Sequence, residues 1–362
     1  MDQKLMQKAY ELAKKGLGKV SPNPCVGAVI VKNGEILAEG WHKKAGDDHA
    51  EIDAINKVKD ISKLKGAELY VTLEPCCHFG KTPPCVNRII ETGIKEVFIG
   101  MMDPFPKVKG KGIKILKKNG IFTEIFPKNT ELAHKIFELN QPFLKAVKTN
   151  MPYVIMKAGI SLDGKIATYT RDSKWITSED ARNDSKIERS FCDCVVIGAG
   201  AVESDDPVLG DKLRVVIDKF LSSDLKRKVF RDEKVFVATT DMASKNEREL
   251  FKKSGINFKS FGKNVVSIEK LLKYLYSTGV HSVFVEGGSG VHGYFYDAFL
   301  KNQKLIDKVI FYVAPKFIGG EKSLPVIGGT GVKFVREIKG FLDYNIEKVG
   351  RDIKFVGYFN CY

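Results

Sequence analysis

The sequence predicts an α/β protein built from two domains. Three observations carry this. Helical and strand-like periodicities alternate through the first 145 residues. A polar, proline-marked stretch, Lys148-Thr149-Asn150-Met151-Pro152, then interrupts the pattern. Beyond it a second series of apolar strands begins, one of which runs into a glycine-rich turn and a helix at 281–300. The expected domains are residues 1–145 and 151–362, which suits a chain of 362 residues.

In the first half, residues 2–15 form an amphipathic helix. Asp2 is its cap, Leu5, Met6, Ala9, Leu12 and Ala13 its apolar face, and Gly16 its stop. Pro22-Asn23-Pro24 turns into a strand over 25–30, and Lys32-Asn33-Gly34 makes a hairpin to a strand over 35–38. Helices follow at 50–59, 85–93 and 113–118, with strands at 67–73 and 96–100 between them; a further helix is expected over 131–147, Pro142 included. In the second half the expected strands are 153–158, 194–198, 213–218, 234–238, 281–285, 309–314, 333–339 and 352–359. The expected helices are one that starts at a capping box of Thr177 and Asp180 and runs to Arg189, then 268–276 and 294–300. Residues 288–293 spell G-x-G-x-x-G between a strand and a helix, the context of a phosphate-cradling loop. The Gly198-Ala199-Gly200 run matches such a loop less well, with Glu203 at the third glycine position.

Composition bounds the function. With 43% apolar and 28% charged residues the chain reads as a soluble globular protein. No run approaches the ~18 apolar residues of a membrane span, and the first residues lack an apolar signal core. Seven cysteines without secreted-scaffold spacing point to a reducing cytoplasm. The net charge of +15 comes from scattered lysines rather than a basic block or a basic-aromatic stripe, which argues against nucleic acid and for a solvated surface with a few residues recruited to phosphates.

The chemistry concentrates between His49 and Cys85. His49-Ala50-Glu51 precedes Glu74-Pro75-Cys76-Cys77-His78-Phe79-Gly80-Lys81-Thr82-Pro83-Pro84-Cys85. One imidazole and two thiols make a three-ligand zinc set, and Glu51 is placed to move protons, as in the zinc-dependent deaminases. His49 and Cys85 both fall near helix starts, where the positive helix end favours thiolate. The spacer between Cys76 and Cys85 is eight residues where the general deaminase pattern has two. A structural four-ligand site completed by Cys77 or His78 is therefore the alternative. Asn23 either caps its turn or reads a substrate amide edge, and His42 either packs its loop or touches substrate.

With these residues in place, the whole chain resembles the bifunctional riboflavin-biosynthesis enzymes, a pyrimidine deaminase fused to a uracil reductase. The first half carries Pro22-Asn23-Pro24-x-Val26-Gly27, Gly40-x-His42, His49-Ala50-Glu51 and the Glu74–Cys85 stretch, whose eight-residue spacer is this family's own. The second half carries Lys157-x4-Leu162-Asp163-Gly164, Ser173-x-Trp175-Ile176-Thr177, Arg189, Asp205-Asp206-Pro207-x-Leu209 and Glu286-Gly287-Gly288. The resemblance implies a cytidine-deaminase-like α/β/α sandwich followed by a dihydrofolate-reductase-like α/β domain, using Zn2+ and NADPH on small pyrimidine ribotides, in a cytoplasmic homo-oligomer without nucleic-acid or membrane partners.

It implies zinc ligation by His49, Cys76 and Cys85, proton transfer by Glu51, and deaminase substrate contacts at Asn23, His42, His78 and Lys81. In the second half it implies substrate contacts at Lys157, Ser173, Arg189, Leu209 and Glu286. NADPH contacts would come from Gly159, Trp175, Ala201, Asp205 and the run Gly288, Ser289, Gly290, Val291, His292, Gly293 and Tyr294. Asp53, Phe105 and Ala201 depart from the family pattern, and the basic residue expected after Leu209 is Lys212 or Arg214. Rival readings are a deaminase with a degenerate second domain, a nucleic-acid base deaminase and a zinc-stapled binding module.

Overall fold

A computed structural model describes residues 1–80 and 83–362. The chain divides into one compact unit of Met1–Asn150 with Tyr362, and a second of Met151–Cys361.

Unit one runs α1 (Gln3–Lys14), β1 (Gly27–Lys32), β2 (Glu35–Trp41), α2 (Ala50–Lys57), β3 (Glu68–Leu73), α3 (Cys85–Glu91), β4 (Glu96–Met101), α4 (Lys111–Lys118), β5 (Phe122–Ile125), α5 (Glu131–Leu139) and α6 (Gln141–Thr149). Its sheet has the order β2-β1-β3-β4-β5; β1 is antiparallel to both neighbours, and β3, β4 and β5 are parallel. Asp2 caps α1 by accepting from the Lys4 amide, and Met6, Ala9, Leu12 and Ala13 are the buried stripe. Apolar side chains of β1, β3 and β4 fill two cores, one on each face of the sheet.

The helix expected over 131–147 is two helices. Pro142 has no amide hydrogen to continue the first and sits at the start of the second. Asn140 fills the break: its side chain accepts from the Cys25 amide at 2.8 Å and donates to the carbonyls of Cys25 (3.2 Å) and Ile136 (3.3 Å).

Unit two runs β6 (Tyr153–Ser161), β7 (Lys165–Ala167), α7 (Glu179–Ser190), β8 (Cys194–Gly198), α8 (Ala199–Asp205), β9 (Leu213–Ile217), β10 (Val235–Thr239), α9 (Lys245–Lys253), β11 (Asn257–Ser260), α10 (Ile268–Ser277), β12 (Ser282–Val285), α11 (Ser289–Lys301), β13 (Lys308–Ala314), β14 (Leu324–Pro325), β15 (Asp343–Val349) and β16 (Asp352–Tyr358). The main sheet has the order β11-β10-β9-β8-β12-β6-β13-β16-β15, parallel from β11 to β13 and antiparallel at β16 and β15. The parallel strands are near-continuous apolar runs, as sheets covered on both faces require.

Three expectations are corrected in unit two. Residues 333–339 are not a strand: the Glu337 carboxylate accepts the Lys333 and Phe334 amides at 2.9 and 3.2 Å and folds the segment into a 3-10 turn. The strand lies later, at β15. Ser178, not Thr177, caps α7, accepting from the Ala181 amide; Thr177 is buried against Gly159. Finally, 288–293 is not a loop before a helix. Gly288 is the cap residue and α11 begins at Ser289, so most of the glycine motif lies inside the helix.

Candidate active sites

In unit one the sequence folds so that two helix starts converge on one strand end. His49 is the residue before α2, Cys85 the first residue of α3, and Cys76 follows β3 by three residues. Their donor atoms all lie within 4.8 Å of one another. His49 Nδ1 is 3.2 Å from Cys85 Sγ and 3.5 Å from Cys76 Sγ, and the Cys85 amide donates to Cys76 Sγ at 3.3 Å. The hydrogen bond from Cys85 holds the Cys76 thiol down to about 4, against burial and with help from His49. Thiolate is the form that binds metal. Two sulfurs and one nitrogen suit zinc, and a three-donor set is the catalytic rather than the closed structural kind. Cys77 stands apart, its Sγ directed at the Lys107 carbonyl at 3.6 Å, and among the described residues the cluster gains no fourth protein donor.

Glu51, in the first turn of α2, is buried next to the cluster. Burial raises its carboxyl above the usual range, and the nearby His49 charge opposes this. A carboxyl shifted upward is a stronger base than an exposed one, which suits a group that must accept a proton and return it. The placement of α2 depends on Gly40. A Cβ there would sit 2.3 Å from the Ala50 carbonyl oxygen and 2.5 Å from the Ala54 amide, so the helix lies directly on the backbone of β2.

Asn23 and His42 come together beside this cluster. His42 Nδ1 lies 2.9 Å from the Asp48 carbonyl, so that nitrogen carries the proton. Its Nε2 then accepts from the Asn23 amide nitrogen, also at 2.9 Å, which leaves the Asn23 oxygen as an acceptor. The His42 ring meets His49 edge-on at 5.4 Å, and burial keeps it neutral by lowering its pKa. His78 lies against Phe105 at 5.6 Å, with its Nδ1 buried and without a hydrogen-bond partner. Lys81 lies outside the described residues.

Asp53 is structural: it accepts from the Trp41 amide at 3.1 Å and pairs with Lys43 (3.0 Å) and Lys57 (2.8 Å). Glu74 ties down the far side of the metal loop, accepting from the amides of Asp103 (3.3 Å), Gly110 (2.9 Å) and Ile113 (3.3 Å).

In unit two the polar centre is Glu286, at the carboxyl end of β12. It accepts from Lys157 at 3.1 Å and from Arg189 at 2.7 Å, and Ser185 donates to it at 3.4 Å. Burial alone would raise its carboxyl, but the Lys157 and Arg189 charges outweigh that and hold it below the usual range. Ser185 is absent from the sequence expectation, although it sits four residues before Arg189 and hence on the same helix face. Ser173 and Asp205 form a separate pair at 3.4 Å. Arg182 lies over the exposed Trp175 ring at 4.3 Å.

Other expected contacts are constrained by burial. Leu209 packs in a core cluster, as Ala201 partly does, so contact at Leu209 falls to its backbone. Val291 is buried, and a Cβ at Gly198 would collide with it. His292 is fully buried; its Nδ1 donates to the Val326 carbonyl at 2.9 Å, and burial lowers its pKa to about 4. Gly293 lies against the backbone of Gly328 and Gly329. Tyr294 packs partly against the main core. A Cβ at Gly288 or Gly290, by contrast, would meet nothing within 4 Å. That open backbone at the start of a 13-residue helix fits the phosphates of a dinucleotide. Arg214 is buried and paired with Asp232, so it does not supply the expected basic contact.

Comparison with known proteins identifies both halves. Residues 1–101 match the cytidine and deoxycytidylate deaminase zinc-binding region, and residues 152–355 match the RibD C-terminal domain. The riboflavin biosynthesis protein RibD of Bacillus amyloliquefaciens is 40% identical over 364 residues, covering 98% of this chain and 95% of that one. The RibD of Aquifex aeolicus is 35% identical over 98% of this chain and 97% of its own. Among solved structures, Acinetobacter baumannii RibD superposes with a TM-score of 0.84 at 33% identity, covering 99% of this chain and 98% of that one. A Thermotoga maritima diaminohydroxyphosphoribosylaminopyrimidine deaminase/5-amino-6-(5-phosphoribosylamino)uracil reductase gives 0.83 at 34% identity over the same shares.

Fold and site thus define a deaminase of cytidine-deaminase fold joined to a dihydrofolate-reductase-like reductase. The chain belongs to the RibD family of bifunctional riboflavin-biosynthesis enzymes, with zinc and NADPH as cofactors. No helix among the described residues is long and apolar enough to cross a membrane.

Proposed function

We propose that residues 1–145 deaminate 2,5-diamino-6-ribosylamino-4(3H)-pyrimidinone 5′-phosphate at the ring 2-amino group. Residues 151–362 then reduce the ribosyl group of the resulting 5-amino-6-ribosylaminouracil 5′-phosphate to ribityl. The observation that carries the reading is the triangle of His49, Cys76 and Cys85 with the buried carboxyl of Glu51 beside it. Zinc bound by these three donors supplies Lewis-acid activation of water. Glu51 takes a proton from the attacking water and returns it to the leaving amino nitrogen, releasing ammonia. The Asn23 oxygen accepts from the substrate's amino or ring N–H, held in that orientation by the His42–Asp48 hydrogen-bond chain.

In the reductase half NADPH supplies the hydride delivered to the ribosyl C1′. Glu286 accepts from sugar hydroxyls, while Lys157 and Arg189 neutralise it and face the phosphorylated substrate. The open backbone at Gly288 and Gly290 takes the cofactor's phosphates. The seven free cysteines favour a reducing, cytoplasmic setting, and the protein acts as a homo-oligomer.

The test is Glu51→Gln in the full, zinc-loaded chain. Zinc content stays at the parent level, deamination falls by about 10²–10⁴-fold, and NADPH oxidation with the deaminated product continues. Surviving deamination overturns the role of Glu51. A folded parent protein that oxidises no NADPH overturns the reductase assignment.

A further inference from the structure

Helix α7 brings Ser185 and Arg189 to Glu286, yet it has almost no apolar side chains to hold it on the sheet. Its only large apolar residue, Ile187, is 55% exposed, and its buried residues are Ala181 and Ser185. A helix packed on a sheet is ordinarily held by an apolar stripe of three or four residues per two turns. Polar bonds take that role here. The start of the helix is fixed by Ser178, which caps it and whose amide donates to the buried Asp352 Oδ2 at 2.6 Å. Farther along, two rows at i, i+4 spacing run side by side: Ser185 with Arg189, and Asp184 with Glu188.

The first row reaches Glu286, Ser185 at 3.4 Å and Arg189 at 2.7 Å. The second row reaches the strands beside it. Strand register sets Ile310 beside Lys157 and Tyr312 beside Lys354, so Lys157, Tyr312 and Lys354 share one face of the sheet. Asp184 Oδ2 accepts the Tyr312 hydroxyl at 2.6 Å and the Lys354 ammonium at 2.7 Å, the lengths of charge-assisted bonds. Lys354 also reaches Glu188 at 2.9 Å and Glu347 at 3.3 Å. Tyr312 is buried, and burial followed by its bond to Asp184 raises its pKa, so the phenol remains the donor. Its ring centre lies 5.9 Å from the Lys157 ammonium, at the edge of the reductase cluster.

We propose that Asp184 is a positioning residue of the reductase: clamped by Tyr312 and Lys354, it fixes the roll of α7 about its axis and thereby the reach of Arg189 to the phosphorylated substrate. A helix without an apolar stripe keeps its rotation only while both rows are held. Release of the Asp184 row lets the neighbouring row drift, and Arg189 with it. Asp184 bonds Tyr312 and Lys354, behind the cluster, so it acts through Arg189. Arg189 faces substrate on the function proposed above, and the role of Asp184 rests on that reading.

The experiment uses the full-length, zinc-loaded chain. In Asp184→Ala the KM for 5-amino-6-ribosylaminouracil 5′-phosphate rises by about ten-fold, less than the ~10²-fold that a misplacement of about 1 Å can cost. Arg189 binds substrate and transition state alike, so kcat holds. The KM for NADPH holds too, because none of the expected NADPH contacts lies on α7, and this shows that unit two is folded. Asp184→Ala also strands the buried Tyr312 hydroxyl, which lowers Tm for a reason unrelated to Arg189. Combining it with Tyr312→Phe removes that hydroxyl, keeps the ring beside Lys157 and regains most of the lost Tm. The ribotide KM of this double variant stays raised, and the double variant decides the matter by itself if the single one fails to fold. A parental ribotide KM in either variant, or an equal rise in both KM values, overturns the positioning role. A parent protein that oxidises no NADPH overturns the reading of the cluster and this role with it; an active parent with unaffected variants overturns the role of Asp184 alone.

Discussion

Alanine at Gly290 and alanine at Gly293 separate two uses of glycine in one motif. A Cβ at Gly290 meets nothing within 4 Å, and the residue lies in the first turn of α11. Alanine there gains up to about 1 kcal/mol of helix propensity. For a unit of this size that raises Tm by about 2–4 °C. A Cβ at Gly293 would lie 2.5 Å from the Gly329 nitrogen and 2.6 Å from the Gly328 carbonyl carbon. Both are backbone atoms that cannot rotate away, so overpacking costs about 1–3 kcal/mol or more, and Tm falls. If cofactor phosphates approach the backbone at Gly290, the added methyl blocks them, and each ~1.4 kcal/mol lost weakens NADPH tenfold. Gly290→Ala is therefore the more stable protein and the poorer NADPH binder. Scanning calorimetry reads the first property and titration of NADPH fluorescence the second. A Gly290→Ala protein that binds NADPH as tightly as its parent refutes the phosphate cradle; a Gly293→Ala protein with unchanged Tm refutes the packing argument.

Asn140→Ala removes three hydrogen bonds at a buried helix break and leaves the Cys25 amide and carbonyl unpaired. It destabilises unit one by about 2–3 kcal/mol, seen in calorimetry as a lowered transition for that unit with reductase activity intact. Glu286 has a folded-state pKa below its ordinary 4.5. Its contribution to stability is therefore full above that value and is lost as pH falls through the folded pKa. Tm of the parent declines along that acid limb, and Glu286→Gln, already less stable at neutral pH, shows a shallower decline; parallel curves would contradict the assignment. Removing metal with a chelator abolishes deamination and spares NADPH oxidation, measured on the same sample.

The metal donors and Glu51 are legible in the sequence because their chemistry demands particular side chains at short spacing. Glu74 is legible only as part of that motif. Its work is done on amides as far away as Gly110 and Ile113, which no local pattern records. The glycine fingerprint misleads for a related reason. Spacing cannot distinguish Gly290, which faces open space, from Gly293, which lies against another backbone segment. Asn140 was hidden inside an apolar periodicity that continues across Pro142. Strand β15 escapes a search for alternating burial because nearly every position is exposed. Lys354, ringed by Asp184, Glu188 and Glu347, is one of many lysines until the fold encloses it.

Gly40 carries a consequence for how deaminase activity varies among variants. It touches no donor atom, yet any side chain there lifts the first turn of α2 off its strand, and His49 and Glu51 ride on that turn. The reach of the proton-carrying group is thus set by a position that offers no chemistry at all. A search for activity-changing substitutions confined to residues lining the reaction centre would pass over it.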